Sequence, residues 1–94
     1  MSELLEKEEL TIALKKCPEW EYELKYITRT IEFEEFMEGI DFVNNVGEIA
    51  DDAQHHPDIM IKHTKVTIKL TTHDVGGVTD LDIQLAQRID NLVD

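Results

Sequence analysis

The chain has 94 residues, with 9 Lys and Arg against 21 Asp and Glu and a net charge of −12 at pH 7. That length is one domain, and so acidic a balance excludes nucleic acid and anionic membranes as main partners, because both are held through Lys and Arg set against phosphate. A 41% hydrophobic content is that of a globular chain, Cys17 as the one cysteine leaves no intrachain disulfide or cysteine-rich zinc site, and no apolar run nears the roughly 20 residues of a membrane span.

The opening Met1-Ser2-Glu3, with Glu6, Glu8 and Glu9 close behind, lacks the positive start and apolar core of a signal peptide. A cytoplasmic location, or the soluble phase of some compartment, is expected. From Leu4 to Lys16, Leu4, Leu5, Leu10, Ile12, Ala13 and Leu14 predict a short helix ending before Pro18. Trp20, Tyr22, Leu24 and Tyr26 alternate with charged residues and predict a strand with its large side chains on one face. Ile27 to Phe33 predicts a second strand, although the turn between them carries no Asn-Gly or Gly-Gly signal. From Glu34 the period becomes helical, with Phe36, Met37, Ile40, Val43, Val46, Ala50 and Ala53 three or four apart, and Pro57 closes the segment. Gly39 and Gly47 lie inside this pattern and imply a neighbour packed closely against both turns. Two more strands follow, through Ile59 and Ile61 and through Val66, Ile68 and Leu70, with a tight turn at Thr64-Lys65. After Gly76-Gly77, Thr79 is a hydroxyl N-cap followed by Asp80 and Asp82, and Leu81, Leu85, Ala86, Ile89 and Leu92 line one face of a third helix. The order α-β-β-α-β-β-α describes a single α+β domain over residues 1–94, a four-stranded antiparallel sheet with three helices on one face. An unpaired sheet edge invites a second copy, so an oligomer is expected.

All four histidines, His55, His56, His63 and His73, lie in one stretch. Imidazole exchanges its proton near neutral pH, so several in one pocket suit a reaction that removes one proton and supplies another. Three of them also have a plainer reading. His55 can answer the negative end of the second helix, His63 alternates in phase with Ile59 and Ile61 as a partly buried strand residue, and His73 can cap a loop. A metal site is the rival, since Asp51 and His55 are four apart on one helical face with His56 or His73 to complete a set, but no HExxH pattern is present. Nucleophilic catalysis has less support, because Cys17 has only Lys15 and Lys16 nearby and no Gly-x-Ser-x-Gly turn occurs. The acidic runs read as solvated faces, except Asp51, which helical spacing puts on the His55 side.

The spacing Asp51, His55-His56-Pro57, Thr71-Thr72-His73-Asp74, Gly76-Gly77, Thr79 and Asp82 closely resembles the pterin-4a-carbinolamine dehydratase family. Upstream, Pro18-x-Trp20 and Phe36 to Asn44 extend the likeness over nearly the whole chain. The resemblance implies a hydro-lyase that dehydrates 4a-hydroxytetrahydropterin to the quinonoid dihydropterin and recycles the cofactor of aromatic amino acid hydroxylases, with no metal and no organic cofactor. It implies His55, His56 and His73 as catalytic imidazoles, and Asp51, Pro57, His63, Thr72, Asp74 and Asp82 as residues around the pterin. The family usually has Tyr, Trp or Phe where this chain has His63. Family members are typically dimers or tetramers, and relatives include Rubisco assembly factors and dimerisation partners of a transcription factor. A binding or assembly module on the same scaffold is therefore the alternative.

Overall fold

In a computed structural model, which describes residues 3–93, the elements follow one another as α1 (Lys7–Leu14), β1 (Glu21–Glu23), β2 (Tyr26–Glu32), α2 (Phe36–Ala53), β3 (Asp58–Lys62), β4 (Lys65–Leu70), a 3-10 turn (His73–Val75) and α3 (Asp80–Val93). The strands form one antiparallel sheet in the order β1-β2-β4-β3. Ile27 and Ile31 of β2 and Val66, Ile68 and Leu70 of β4 are buried on the same face. They share one core with Phe42, Val46 and Ala50 of α2 and Ile83, Leu85, Ala86 and Ile89 of α3. The expected α+β fold is the observed one.

Its boundaries differ for local reasons. The first helix begins at Lys7 and not at Leu4, because Glu6 takes an extended conformation as N-cap and exchanges hydrogen bonds with Glu9 in a capping box. The second begins at Phe36, where Glu35 and Glu38 repeat the device. The large residues from Trp20 to Tyr26 do not share a face. Leu24 adopts a left-handed φ of 48°, the chain turns at Leu24 and Lys25, and Glu23 pairs with Tyr26. Tyr22 therefore faces the helices beside Ile27, whereas Tyr26 stands on the open face with the Lys69 ammonium 4.8 Å from its ring centre.

The other hairpin turns on His63 and Thr64, one residue earlier than expected, again with its first residue left-handed, at φ 57°. His63 consequently leaves the Ile59 and Ile61 alternation and is exposed in the turn. Of the two helical glycines, Gly39 meets its expectation, since an added Cβ would lie 3.3 Å from Val66 Cγ2. Gly47 does not, because nothing stands within 4 Å of its missing Cβ. Among the described residues, no helix is long and apolar enough to cross a membrane.

Candidate active site

At one end of the sheet α2 finishes, β3 starts, and β4 runs out into the loop before α3. Gln54 adopts φ 53° and ψ 40° after α2, and the His55 N–H reaches back 3.1 Å to the Ala50 carbonyl. Such a reversal satisfies the last helical carbonyls and normally falls to glycine. It carries His55 off the helix towards α3, where Nε2 lies 2.5 Å from Asp82 Oδ1. The His55 side chain is 11% exposed and Asp82 is fully buried.

Asp82 sits in the first turn of α3, at the positive end of the helix dipole. Its other oxygen, Oδ2, accepts the Thr79 N–H and the Thr72 hydroxyl, each at 2.9 Å. Thr79 is the N-cap expected from sequence, with its hydroxyl accepting the Leu81 N–H at 3.2 Å. Thr72 is held by a bridge to Gly77, and Gly76, at φ 72°, turns the intervening loop back on itself. Every buried side-chain polar atom has a partner among the described residues.

His56 and Asp51 form a second pair, Nε2 to Oδ1 at 3.1 Å, with side chains 61% and 78% exposed. Asp51 thus serves His56, not the expected His55. Because α2 stops at Ala53, the four-residue helical spacing does not extend to His55. The rival Asp51–His55 metal pair accordingly does not converge, and no group of three or more His, Cys, Asp and Glu among the described residues is arranged to hold a metal ion. His73 opens the 3-10 turn directly after the buried Thr72, and both it and Asp74 are exposed. Pro57 is half-buried between His56 and β3.

His55, Thr72 and Asp82 therefore form one connected network, with His56 and His73 next to it in the chain. Thr72 and Asp82 face inwards and support the imidazole; they are not open surface against a substrate. His63 lies apart. Its turn is at the other end of β3, about 16 Å along the five-residue strand, where Thr64 bonds Phe33 and Glu32. The sequence marks Thr79 as a cap and as part of the family spacing but not as a partner of Asp82; the signal for that contact is the Thr-x-x-Asp pattern at the start of α3, which bonds a threonine to the carboxylate that holds His55. Cys17 is buried, and burial, followed by the charge of Asp90, pushes its thiol up to about 11, which removes it as a nucleophile at neutral pH.

Chemically, His55 is one imidazole locked against a buried carboxylate, the exposed His56 and His73 flank the network in the chain, and imidazole is a side chain able to take and give a proton near neutral pH. The family profile for pterin 4 alpha carbinolamine dehydratase matches residues 3–92. A protein from Sulfurisphaera tokodaii with the provisional name pterin-4-alpha-carbinolamine dehydratase is 45% identical over 93 residues, covering 99% of each chain. One from Picosynechococcus with the same provisional name is 46% identical over 92 residues, covering 98% of this chain and 100% of the other. Among solved structures, a transcriptional coactivator/pterin dehydratase from Brucella melitensis superposes with a TM-score of 0.94 at 28% identity over 98% of this chain and 100% of its own. A pterin dehydratase-like protein identified as a RuBisCO assembly factor in the alpha-carboxysome shares the fold, with a TM-score of 0.67 at 21% identity over 79% of this chain and 88% of its own.

Proposed function

The chain belongs to the pterin 4 alpha carbinolamine dehydratase family, and on that premise we propose that it dehydrates a 4a-hydroxytetrahydropterin by histidine acid–base catalysis. In this reaction the bond from C4a to the hydroxyl oxygen breaks, a ring nitrogen gives up its proton, a carbon–nitrogen double bond forms, and water leaves. One group must accept the ring proton and another must protonate the departing hydroxyl. His55, His56 and His73 are the imidazoles assigned to this work, with Asp51 steadying His56. The observation that carries the reading is the His55–Asp82 pair, whose buried carboxylate gives one imidazole a fixed orientation. Pro57 and Asp74 border the pterin in this proposal, and the protein works in the cytoplasm as a homodimer or homotetramer.

The test is the rate at which the purified protein accelerates dehydration of a freshly generated carbinolamine. Loss of a positioned acid or base costs about 10²- to 10⁴-fold, so His56→Ala and His73→Ala should each fall that far while keeping the wild-type circular dichroism spectrum. A wild type that does not accelerate the reaction refutes the proposal. The alternative, a binding or assembly module, draws on one observation: His63 stands where the family usually has an aromatic residue, and it occupies a hairpin turn away from the paired imidazoles. His63→Tyr that leaves an inactive protein inactive would favour the module.

A further inference from the structure

Thr72 is 8% exposed, and Thr79 and Asp82 are fully buried. The two threonine hydroxyls lie 2.7 Å apart. Each hydroxyl has a single hydrogen, so the direction of each bond can be worked out. Among the described residues, the Thr79 hydroxyl oxygen accepts the Leu81 N–H, and the acceptor within its own reach is Thr72 Oγ1. Thr79 therefore donates to Thr72, and Thr72 passes its hydrogen to Asp82 Oδ2, which also takes the Thr79 N–H. With two donors on Oδ2, Asp82 is an acceptor there. Its remaining oxygen, Oδ1, faces the His55 Nε2 at 2.5 Å, and in the ionised carboxylate, which can only accept, that position requires hydrogen on the nitrogen.

We infer that Thr72 and Thr79 are positioning residues: their aligned hydroxyls hold Asp82 as an acceptor at both oxygens and so fix the proton of the neutral His55 ring on Nε2. Nδ1, which has no hydrogen-bond partner among the described residues, is then the ring's basic nitrogen. The catalytic consequence rests on the dehydratase reading, but the tautomer is a property of the free protein and is measured without substrate.

The experiment is long-range proton–nitrogen NMR on protein labelled with ¹⁵N-histidine, at a pH where the ring is neutral, with His55→Ala identifying the resonance. Wild-type His55 should show a pyrrole-type Nε2 and a pyridine-type Nδ1. Thr72→Val removes a donor from Asp82 and should broaden this into a mixture of tautomers, whereas Thr72→Ser should preserve it. A wild-type ring protonated on Nδ1, or a Thr72→Val spectrum identical to wild type, overturns the inference. The wild-type spectrum decides even if Thr72→Val does not fold, and Thr79→Val against Thr79→Ser then repeats the comparison. In kinetics, Thr72→Val should lower kcat about 10- to 100-fold, the size of effect that loss of an outer partner has at metal-bound histidines, with KM little changed and the rate recovered in Thr72→Ser. A wild type with no dehydratase activity removes the proposed function, while the spectra still decide the tautomer.

Discussion

Asp82→Asn separates what the carboxylate does for the fold from what it does for the imidazole. The amide oxygen can replace Oδ2 and keep the Thr72 hydroxyl and Thr79 N–H bonds. The NH2 group then falls where Oδ1 stood, 2.5 Å from His55 Nε2, and two donors face each other unless His55 moves its proton to Nδ1. A hydrogen bond to a charged group contributes about 1.5–3 kcal/mol. With two of three bonds retained in neutral form, the expected stability loss is about 1–3 kcal/mol, out of roughly 5–15 kcal/mol for a domain of this size. The folded variant should nevertheless lose about 10²- to 10⁴-fold in kcat, equivalent to roughly 3–5 kcal/mol of barrier, because its imidazole presents the wrong nitrogen. Urea unfolding followed by Trp20 fluorescence gives the first quantity, and steady-state dehydration of the carbinolamine gives the second. A variant that folds and retains the wild-type kcat would refute the argument that Asp82 sets the proton on His55.

Gly47→Ala should stabilise the protein by about 1 kcal/mol, since the site is helical and open; at Gly39 the same change presses on Val66 and should cancel that gain, and equal stabilisation at both would contradict the packing account. Cys17 links stability to alkaline pH. Its thiol has a folded value raised from 9.0 to about 11, so the native state holds the proton after the unfolded chain has lost it. The contribution is complete below pH 9 and falls by roughly 1.4 kcal/mol per pH unit up to pH 11, about 2–3 kcal/mol in all; Cys17→Ala should flatten that part of the melting-temperature profile, and an unchanged slope would show that other groups produce it. Asp90→Ala strips the partner shared by the Trp20 indole N–H at 2.8 Å and the Arg29 guanidinium at 2.6 Å. Arg29 and Asp90 are only partly buried, so the expected loss is about 1–3 kcal/mol, with a shift in Trp20 emission, and Asp90→Asn should recover part of it.

Much of this architecture was legible because periodicity is a local property. The alternation through Val66, Ile68 and Leu70 and the helical spacing from Phe36 to Ala53 follow directly from which side of an element meets the core. The hairpin turns were not, since Leu24 and His63 occupy left-handed positions that usually advertise themselves with Gly or Asn. That is also why Tyr26 leaves the face that alternation predicts for it: Leu24 and Lys25 form a turn that interrupts the strand. The histidine spacing was enough to reveal the family, but not which carboxylate serves which imidazole. Helical geometry joined Asp51 to His55 only if the helix continued, and Gln54 breaks it. The true partner, Asp82, lies 27 residues further on, a contact that no local pattern encodes.

The separation in sequence divides the site's assembly into two events. Thr72 and Asp82, with Thr79 between them, are separated by 10 positions, so the loop and the first turn of α3 can gather their hydrogen bonds by closing a short segment at little entropic cost. The bond to His55 forms only when α2 and α3, which pack against each other over the sheet, have docked. Partial openings of a domain cost less than its global unfolding. Any excursion that lifts α3 from α2 would leave the sheet paired and the threonine cradle intact while the imidazole swings free. The share of molecules with His55 paired at a given instant is then set by the equilibrium between docked and lifted α3, which makes hydrogen exchange along α3 a more direct measure of that share than any melting temperature.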